Sequence, residues 1–143
     1  MVNPDGVNLV IDGPPEEMPY HNLVIEINGG SLDFSDWKAN IRGVDLNLQF
    51  PANWEYEKAR SPEGPAPRDY AGPYPLSEPE AIALAELTRK KKFLSVIAFH
   101  TQGRVIYWGY ENLAPPRAAV IAQKFAELSG YTPIKSAYSY RFY

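Results

Sequence analysis

The feature of this sequence that most constrains its fold is the apolar run at residues 93–99, FLSVIAF. A short, partly β-branched run is typical of a strand buried on both faces of a sheet, although periodicity alone does not separate it from a buried helix segment. His100 follows the run, and a turn then leads into a second β-rich run at residues 105–108. Ligands of open α/β sheets collect outside the carboxyl ends of the strands, so His100 is the first candidate for chemistry. The simpler alternative is a structural histidine.

The composition excludes several kinds of partner. A length of 143 residues fits one domain, and a net charge of −3 gives no electrostatic reason to expect nucleic acid or an anionic membrane as a partner. The absence of cysteine excludes disulfides and thiolate metal ligands and leaves the cellular compartment open. No basic-then-apolar leader begins the chain and no apolar run approaches about 18 residues, so we expect neither a signal peptide nor a membrane span.

Three stretches of the first half have local signals. Residues 3–6 (NPDG) predict a tight turn, and residues 7–11 predict an extended segment. The apolar cluster at residues 23–27 suits either a strand or one short helix, and the sequence does not decide between them. The polar stretch at residues 37–47 (WKANIRGVDLN) is either a loop pinned by side-chain hydrogen bonds or one wall of a polar site.

A long proline-rich stretch at residues 51–76 separates this half from two predicted helices. Its aromatic residues are expected to dock it on the core; they are Trp54, Tyr56, Tyr70 and Tyr74.

The first of these helices should begin with a capping box, Ser77 with Glu80 three positions on, and end at the basic run 89–92. The second should start at Pro115–Pro116 and end at Gly130, and the tail after it is predicted to be extended.

Four separated motifs occur in the same order in the zinc carboxypeptidases. They are NPDG at 3–6, GVDLN at 43–47 with Phe50, SEPE at 77–80, and the strand-end His100. The longer segments WKANIRGVDLN, FPANWE, PRDYAGPYPLSEPEA and FHTQGRVIYWGY resemble the bacterial branch of that family that cleaves γ-D-glutamyl–diamino acid bonds in peptidoglycan peptides. The resemblance implies an α/β fold with a mixed central sheet flanked by helices, and a single partial peptidase domain over residues 1–143.

The same resemblance implies roles for particular residues. Members of the family hold a catalytic zinc ion with a His and a Glu from an early H-x-x-E motif and a later strand-end His, which His100 matches. Asn47 matches the residue that orients the substrate carboxylate, and Asp45 and Lys38 of the same loop are further candidates for substrate binding. The cation that stabilises the oxyanion would be Arg42 or Lys38, and the register leaves both open. The mobile tyrosine that closes over substrate would be Tyr138, with Tyr140 as the alternative.

The chain departs from the family pattern in two respects. Leu48 stands where the classical carboxypeptidases have an Arg that grips the terminal carboxylate, so a peptidoglycan stem peptide suits the chain better than ordinary C-terminal trimming. No H-x-x-E motif is present, since Val24 lies three positions after His21. We therefore expect the middle part of a longer peptidase, inactive alone and weak in zinc binding, that associates through exposed sheet edges.

Two functions from different classes remain. The leading hypothesis is a zinc-dependent peptidase that acts on murein-type peptides, with this chain as an incomplete part of it. The alternative is a non-catalytic peptide- or murein-binding module with the same fold. A purely structural α/β domain would leave the four motifs unexplained.

Overall fold

The computed structural model describes residues 2–100, 103–111 and 113–135. The chain divides into two compact units, Met1–Phe93 and Leu94–Tyr143. Across the described ranges, no helix is long and apolar enough to cross a membrane.

The first helix of the first unit, α1, covers Pro4–Asp12. The sequence-based expectation of a tight turn followed by an extended segment is wrong here. The Asn3 side chain accepts a hydrogen bond from the Gly6 backbone N–H at 3.0 Å, and Pro4 occupies the first helical position. An asparagine cap followed by proline satisfies an orphan N–H and fixes φ for a helix, so the NPDG motif starts a helix.

Helix α2, Tyr20–Ile27, resolves the ambiguity at residues 23–27 in favour of a short helix. It packs into the first core cluster, which is apolar and buried and consists of Leu9, Val24, Phe34, Trp37 and Ala39. The amide of Asn3 also donates to the backbone oxygens of Lys38 and Ala39, both at 3.0 Å. The start of α1 is thus tied directly to the polar loop at residues 37–47.

The proline-rich stretch contributes to a second core cluster. The stretch contains one short helix, α3, at Trp54–Lys58, and a 3-10 turn at Leu46–Leu48 precedes the stretch. Leu48, Trp54 and Ala71 form this cluster, and the Trp54 indole donates to the Ala71 carbonyl at 3.1 Å. Of the four aromatic residues expected to dock the stretch, Trp54 and Tyr70 are buried, whereas Tyr56 and Tyr74 are exposed.

Helix α4, Pro79–Lys91, ends on the predicted basic residues but does not begin as predicted. Its N-cap residue is Glu78, and no side chain caps it, so the expected capping box is wrong. The Ser77 hydroxyl instead donates to the Gln49 and Glu78 side chains, at 3.1 and 2.9 Å. Tertiary hydrogen bonds therefore take the groups that a capping box would have used locally.

The second unit contains a small parallel sheet. Strand β1 is Val105–Trp108, helix α5 is Arg117–Ser129, and strand β2 is Thr132–Lys135. The strands pair in parallel with Val105 opposite Thr132, and α5 connects them. Gly130 ends α5 with φ +72°, as predicted. Helices together with a parallel sheet confirm the α/β class.

Residues 93–99 form neither a strand nor a helix, so the prediction of a doubly buried strand is wrong. All of these residues are exposed, and Leu94 and Phe99 keep 91% and 93% of their surface open. A strand needs hydrogen-bonding partners on a neighbouring strand, and the described part of the chain supplies none for this segment. Of the apolar residues of α5, Ala122 and Ala126 are buried, whereas Val120, Phe125 and Leu128 are exposed.

The approach to α4 is organised by the buried side chain of Gln49. Its amide nitrogen donates to the Ala71 carbonyl at 2.6 Å, and its oxygen accepts from the backbone N–H groups of Ser77 and Glu78 at 2.7 and 3.0 Å. Gly72 lies against this amide with φ +84°, and a Cβ there would meet Gln49 Nε2 and Ser77 Oγ.

We predict that Gly72→Ala lowers the free energy of unfolding by about 3 kcal/mol. An alanine there is strained by the left-handed backbone, and its Cβ also clashes with the Gln49 and Ser77 side chains. The matched control is Gly30→Ala, which has the same φ of +84° with nothing within 4 Å of its added Cβ. It should lose only about 1 kcal/mol. Urea unfolding measures both variants, and equal losses would show that the Gln49 contact is irrelevant.

Candidate functional site

The polar loop at residues 37–47 is folded around the side chain of Asn40. The Asn40 Oδ1 accepts from the backbone N–H groups of Arg42 and Val44, both at 3.1 Å. The Asn40 backbone N–H donates to the Val44 carbonyl at 2.9 Å, and Gly43 supplies a positive φ of +73° for the turn. These are the contacts of a loop pinned by its own side chain, as one of the two interpretations of this stretch predicts.

Asp45 is a buried carboxylate with partners on both oxygens. Its side chain accepts from the Asn47 backbone N–H at 3.1 Å through Oδ1 and from the Asp69 N–H at 3.2 Å through Oδ2. The Asp45 N–H donates to the Tyr70 carbonyl at 2.8 Å. With only 2% of its surface exposed, Asp45 joins the Asn47 turn to the proline-rich stretch.

Lys38 places its ammonium beside the same carboxylate. The Lys38 Nζ lies 3.3 Å from Asp45 Oδ2, with 41% of the lysine side chain exposed. The backbone N–H groups of Lys38 and Ala39 both donate to the Pro67 carbonyl at 2.9 Å, which fixes the base of the side chain. Because the ammonium is partly solvated, the ion pair itself contributes at most about 1 kcal/mol, and its main effect is geometric.

Arg42 is held by a different carboxylate. Its Nε lies 3.7 Å from Glu78 Oε2, and 60% of the arginine side chain is exposed. Glu78 is fully buried, and its Oε2 also accepts from Asn40 Nδ2 at 2.8 Å. The two candidate cations of the loop therefore pair with different buried acids, Lys38 with Asp45 and Arg42 with Glu78.

The structure brings together three of the predicted site residues, Lys38, Asp45 and Asn47. Arg42 lies in the same loop but pairs with Glu78. His100 belongs to the second unit, in its exposed N-terminal segment. Tyr138 and its alternative Tyr140 lie outside the described residues.

Sequence reasoning missed three buried polar side chains that support this cluster. Asn40, Gln49 and Glu78 are exposed by 1%, 0% and 0%. A polar residue flanked by apolar ones, as in L-N-L-Q-F, was the available signal for Gln49. Glu78 gave no such signal, because a Glu before a helix looks like an ordinary solvated terminus.

The described residues do not fit a complete zinc site. Within residues 2–100, 103–111 and 113–135, no three His, Asp or Glu side chains form a group that could hold a metal ion. A catalytic zinc ion needs three protein ligands, and His100 supplies one candidate among these residues.

The comparisons with known proteins agree with the motifs. Residues 1–140 match the zinc carboxypeptidase family, and the chain belongs to that family. The chain is similar to γ-D-glutamyl-L-diamino acid endopeptidase 1 of Lysinibacillus sphaericus, with 61% identity over 143 residues, which is all of this chain and 36% of that protein.

Two other relatives extend this result. The uncharacterized protein YqgT of Bacillus subtilis is 44% identical over 142 residues, which is 98% of this chain and 38% of that protein. Mouse carboxypeptidase A6 is 35% identical over 77 residues, which is 52% of this chain and 17% of that protein. The chain thus spans little more than a third of the first two relatives, and no solved structure matches it significantly. The family resemblance expected from the sequence is confirmed.

Proposed function

We propose that this chain is part of a zinc-dependent peptidase that hydrolyses γ-D-glutamyl–diamino acid amide bonds in peptidoglycan peptides. The observation that carries the proposal is the cluster of Lys38, Asp45 and Asn47, in which one buried carboxylate holds both the ammonium and the turn that presents the asparagine. The substrate class is drawn from the relative with 61% identity, whose name specifies a γ-D-glutamyl-L-diamino acid bond.

In this proposal Asn47 binds a substrate carboxylate or amide and Lys38 stabilises the oxyanion. The contacts favour Lys38 over Arg42, because Lys38 shares Asp45 with the Asn47 turn whereas Arg42 pairs with Glu78. Asp45 acts in substrate binding by fixing both neighbours. The partly exposed ammonium of Lys38 is a compact point charge suited to a developing oxyanion.

Leu48 supports an endopeptidase rather than a carboxypeptidase specificity. Its side chain is buried, with 5% exposed, and packs with Trp54 and Ala71. The residue after Asn47 therefore contributes to the core and leaves no cation at that position for a terminal carboxylate.

We further propose that His100 is one zinc ligand and that Tyr138 closes over bound substrate. Among the described residues, no three His, Asp or Glu side chains form a group that would complete this metal site. The chain by itself is then inactive, and the complete active site belongs to a longer polypeptide.

The first prediction from the proposed function concerns metal binding by the purified 143-residue chain. We expect no zinc affinity in the nanomolar range and no peptide hydrolysis. A single imidazole binds zinc weakly, whereas a catalytic zinc ion is held by three protein ligands. Isothermal titration with Zn²⁺ measures this, with His100→Ala as the control variant. A stoichiometric nanomolar site that His100→Ala abolishes would contradict the proposal that the site is incomplete.

The second prediction concerns activity in a complete protein. Replacing the matching segment of the Lysinibacillus sphaericus endopeptidase with this chain should give a chimera that cleaves a γ-D-glutamyl-L-diamino acid bond. In that chimera, Lys38→Met should lower kcat by about 100-fold, the scale of losing one oxyanion donor. Asn47→Ala should mainly raise KM, since it removes a binding contact.

Arg42→Met is the matched comparison, since it removes a cation from the same loop; we expect a smaller loss of kcat than with Lys38→Met, because the Arg42–Glu78 pair is long and largely solvated. A larger loss with Arg42→Met than with Lys38→Met would reverse the assignment of the two cations. A folded chimera that binds the peptide without cleaving it would favour the non-catalytic binding module.

The third prediction concerns association between copies, through the apolar segment at residues 93–99. An exposed, unpaired apolar segment with strand-forming residues is a template for pairing with another chain. Sedimentation velocity should show concentration-dependent association that Val96→Lys reduces. Val120→Lys is the control, because Val96 and Val120 are similarly exposed, by 63% and 62%. A stable monomer, or equal effects of both substitutions, would refute this assignment.

A further inference from the structure

The hydrogen bond between Asn40 and Glu78 joins two segments that the proposed mechanism does not itself connect. Asn40 Nδ2 donates to Glu78 Oε2 at 2.8 Å across 38 positions of sequence. Both residues are essentially without solvent exposure. The bond ties the polar loop at residues 37–47 to the residue that precedes α4.

The same Asn40 side chain also bonds to the turn of the polar loop. A carboxamide has its donor and its acceptor at fixed positions, so orienting Nδ2 towards Glu78 also orients Oδ1. That oxygen accepts the N–H groups of Arg42 and Val44. The hydrogen bond to Glu78 therefore orients the side-chain oxygen that holds the turn at residues 40–44.

The turn lies between the two residues that form the ion pair. Lys38 and Asp45 flank it in sequence, and their side chains meet at 3.3 Å. The Lys38 backbone is held at Pro67, so a change in the shape of the turn is expected to act at its Asp45 end and to shift the carboxylate that holds the Lys38 ammonium beside the Asn47 turn.

Glu78 is suited to this role because its charge is compensated inside the protein. Its Oε1 accepts from the Ser77 hydroxyl at 2.9 Å, and Arg42 Nε lies 3.7 Å from Oε2. A buried carboxylate with such fixed partners cannot move without leaving donors unpaired. Glu80 reaches Asn40 Nδ2 less closely, at 3.4 Å.

We infer that Asn40 and Glu78 are positioning residues that place the Lys38 ammonium for the reaction. This inference rests on the proposed function, because it assigns them an effect on a residue that contacts substrate. Neither residue touches the substrate, and both act through the turn at residues 40–44.

The test reverses the direction of the hydrogen bond. In the same chimera, Asn40→Asp places a second carboxylate against Glu78 and should lower kcat at least tenfold. The double variant Asn40→Asp with Glu78→Gln restores a donor and an acceptor in swapped positions, and kcat should return to within about threefold of the unmutated chimera. KM should change much less than kcat in both variants.

The control double variant is Asn40→Asp with Glu80→Gln. It has the same net charge as the swapped pair, but Glu80 is the more distant partner, so it should rescue kcat less than the swapped pair does. If the variants shift only Tm while kcat of the folded chimera stays unchanged, or if both double variants rescue equally, the positioning role is refuted.

A second measurement uses the 143-residue chain and needs no activity. The Asn47 backbone N–H donates to Asp45, and both residues follow the turn in sequence, whereas Asn40 begins it. Native-state hydrogen exchange of the Asn47 amide should accelerate at least tenfold in Asn40→Asp and recover in the swapped double variant. An unchanged Asn47 amide would refute the inference. An inactive unmutated chimera with the expected exchange pattern would refute the proposed function alone.

Discussion

The first unit of this protein depends on hydrogen bonds made by buried polar side chains. Gln49 is fully buried, and its carboxamide bonds to the backbone of Ala71, Ser77 and Glu78. Among the residues that the structure describes, this unit contains no paired strands, so its long loops lack the ladder that usually satisfies backbone groups. Asn40 and Asp45 supply the missing partners to the polar loop. An unpaired buried N–H or C=O costs about 1–3 kcal/mol, which makes these side chains as necessary to the fold as its apolar clusters.

Elements with local signals can be predicted from the sequence, and elements that depend on distant partners cannot. The end of α5 at Gly130 and the basic end of α4 follow from residues within one turn, and both predictions are confirmed. The NPDG motif is equally local, but its asparagine and proline suit a tight turn as well as the helix start that forms. At Ser77 a plausible local cap is lost to a tertiary contact with Gln49, which no short-range pattern contains.

The segment at residues 93–99 shows the same limit more strongly. Its apolar, β-branched composition describes what the segment can bury, whereas a strand exists only where a neighbouring backbone pairs with it. Strand β1 comes from a shorter run and does form, because β2 lies beside it and α5 packs against both. The difference between these two runs lies in their neighbours and not in their own residues. For this reason the α/β class can be predicted more securely than any individual strand.

The candidate site depends on how charge is divided inside the polar loop. Lys38 and Arg42 are four residues apart and look interchangeable in sequence, yet they pair with Asp45 and Glu78, which differ in what else they hold. Asp45 also accepts a hydrogen bond from the Asn47 backbone, so the Lys38 ammonium beside Asp45 lies next to the proposed substrate contact. We infer that the Lys38 ammonium is positioned beside Asp45 because Glu78, through Asn40, holds the turn between them.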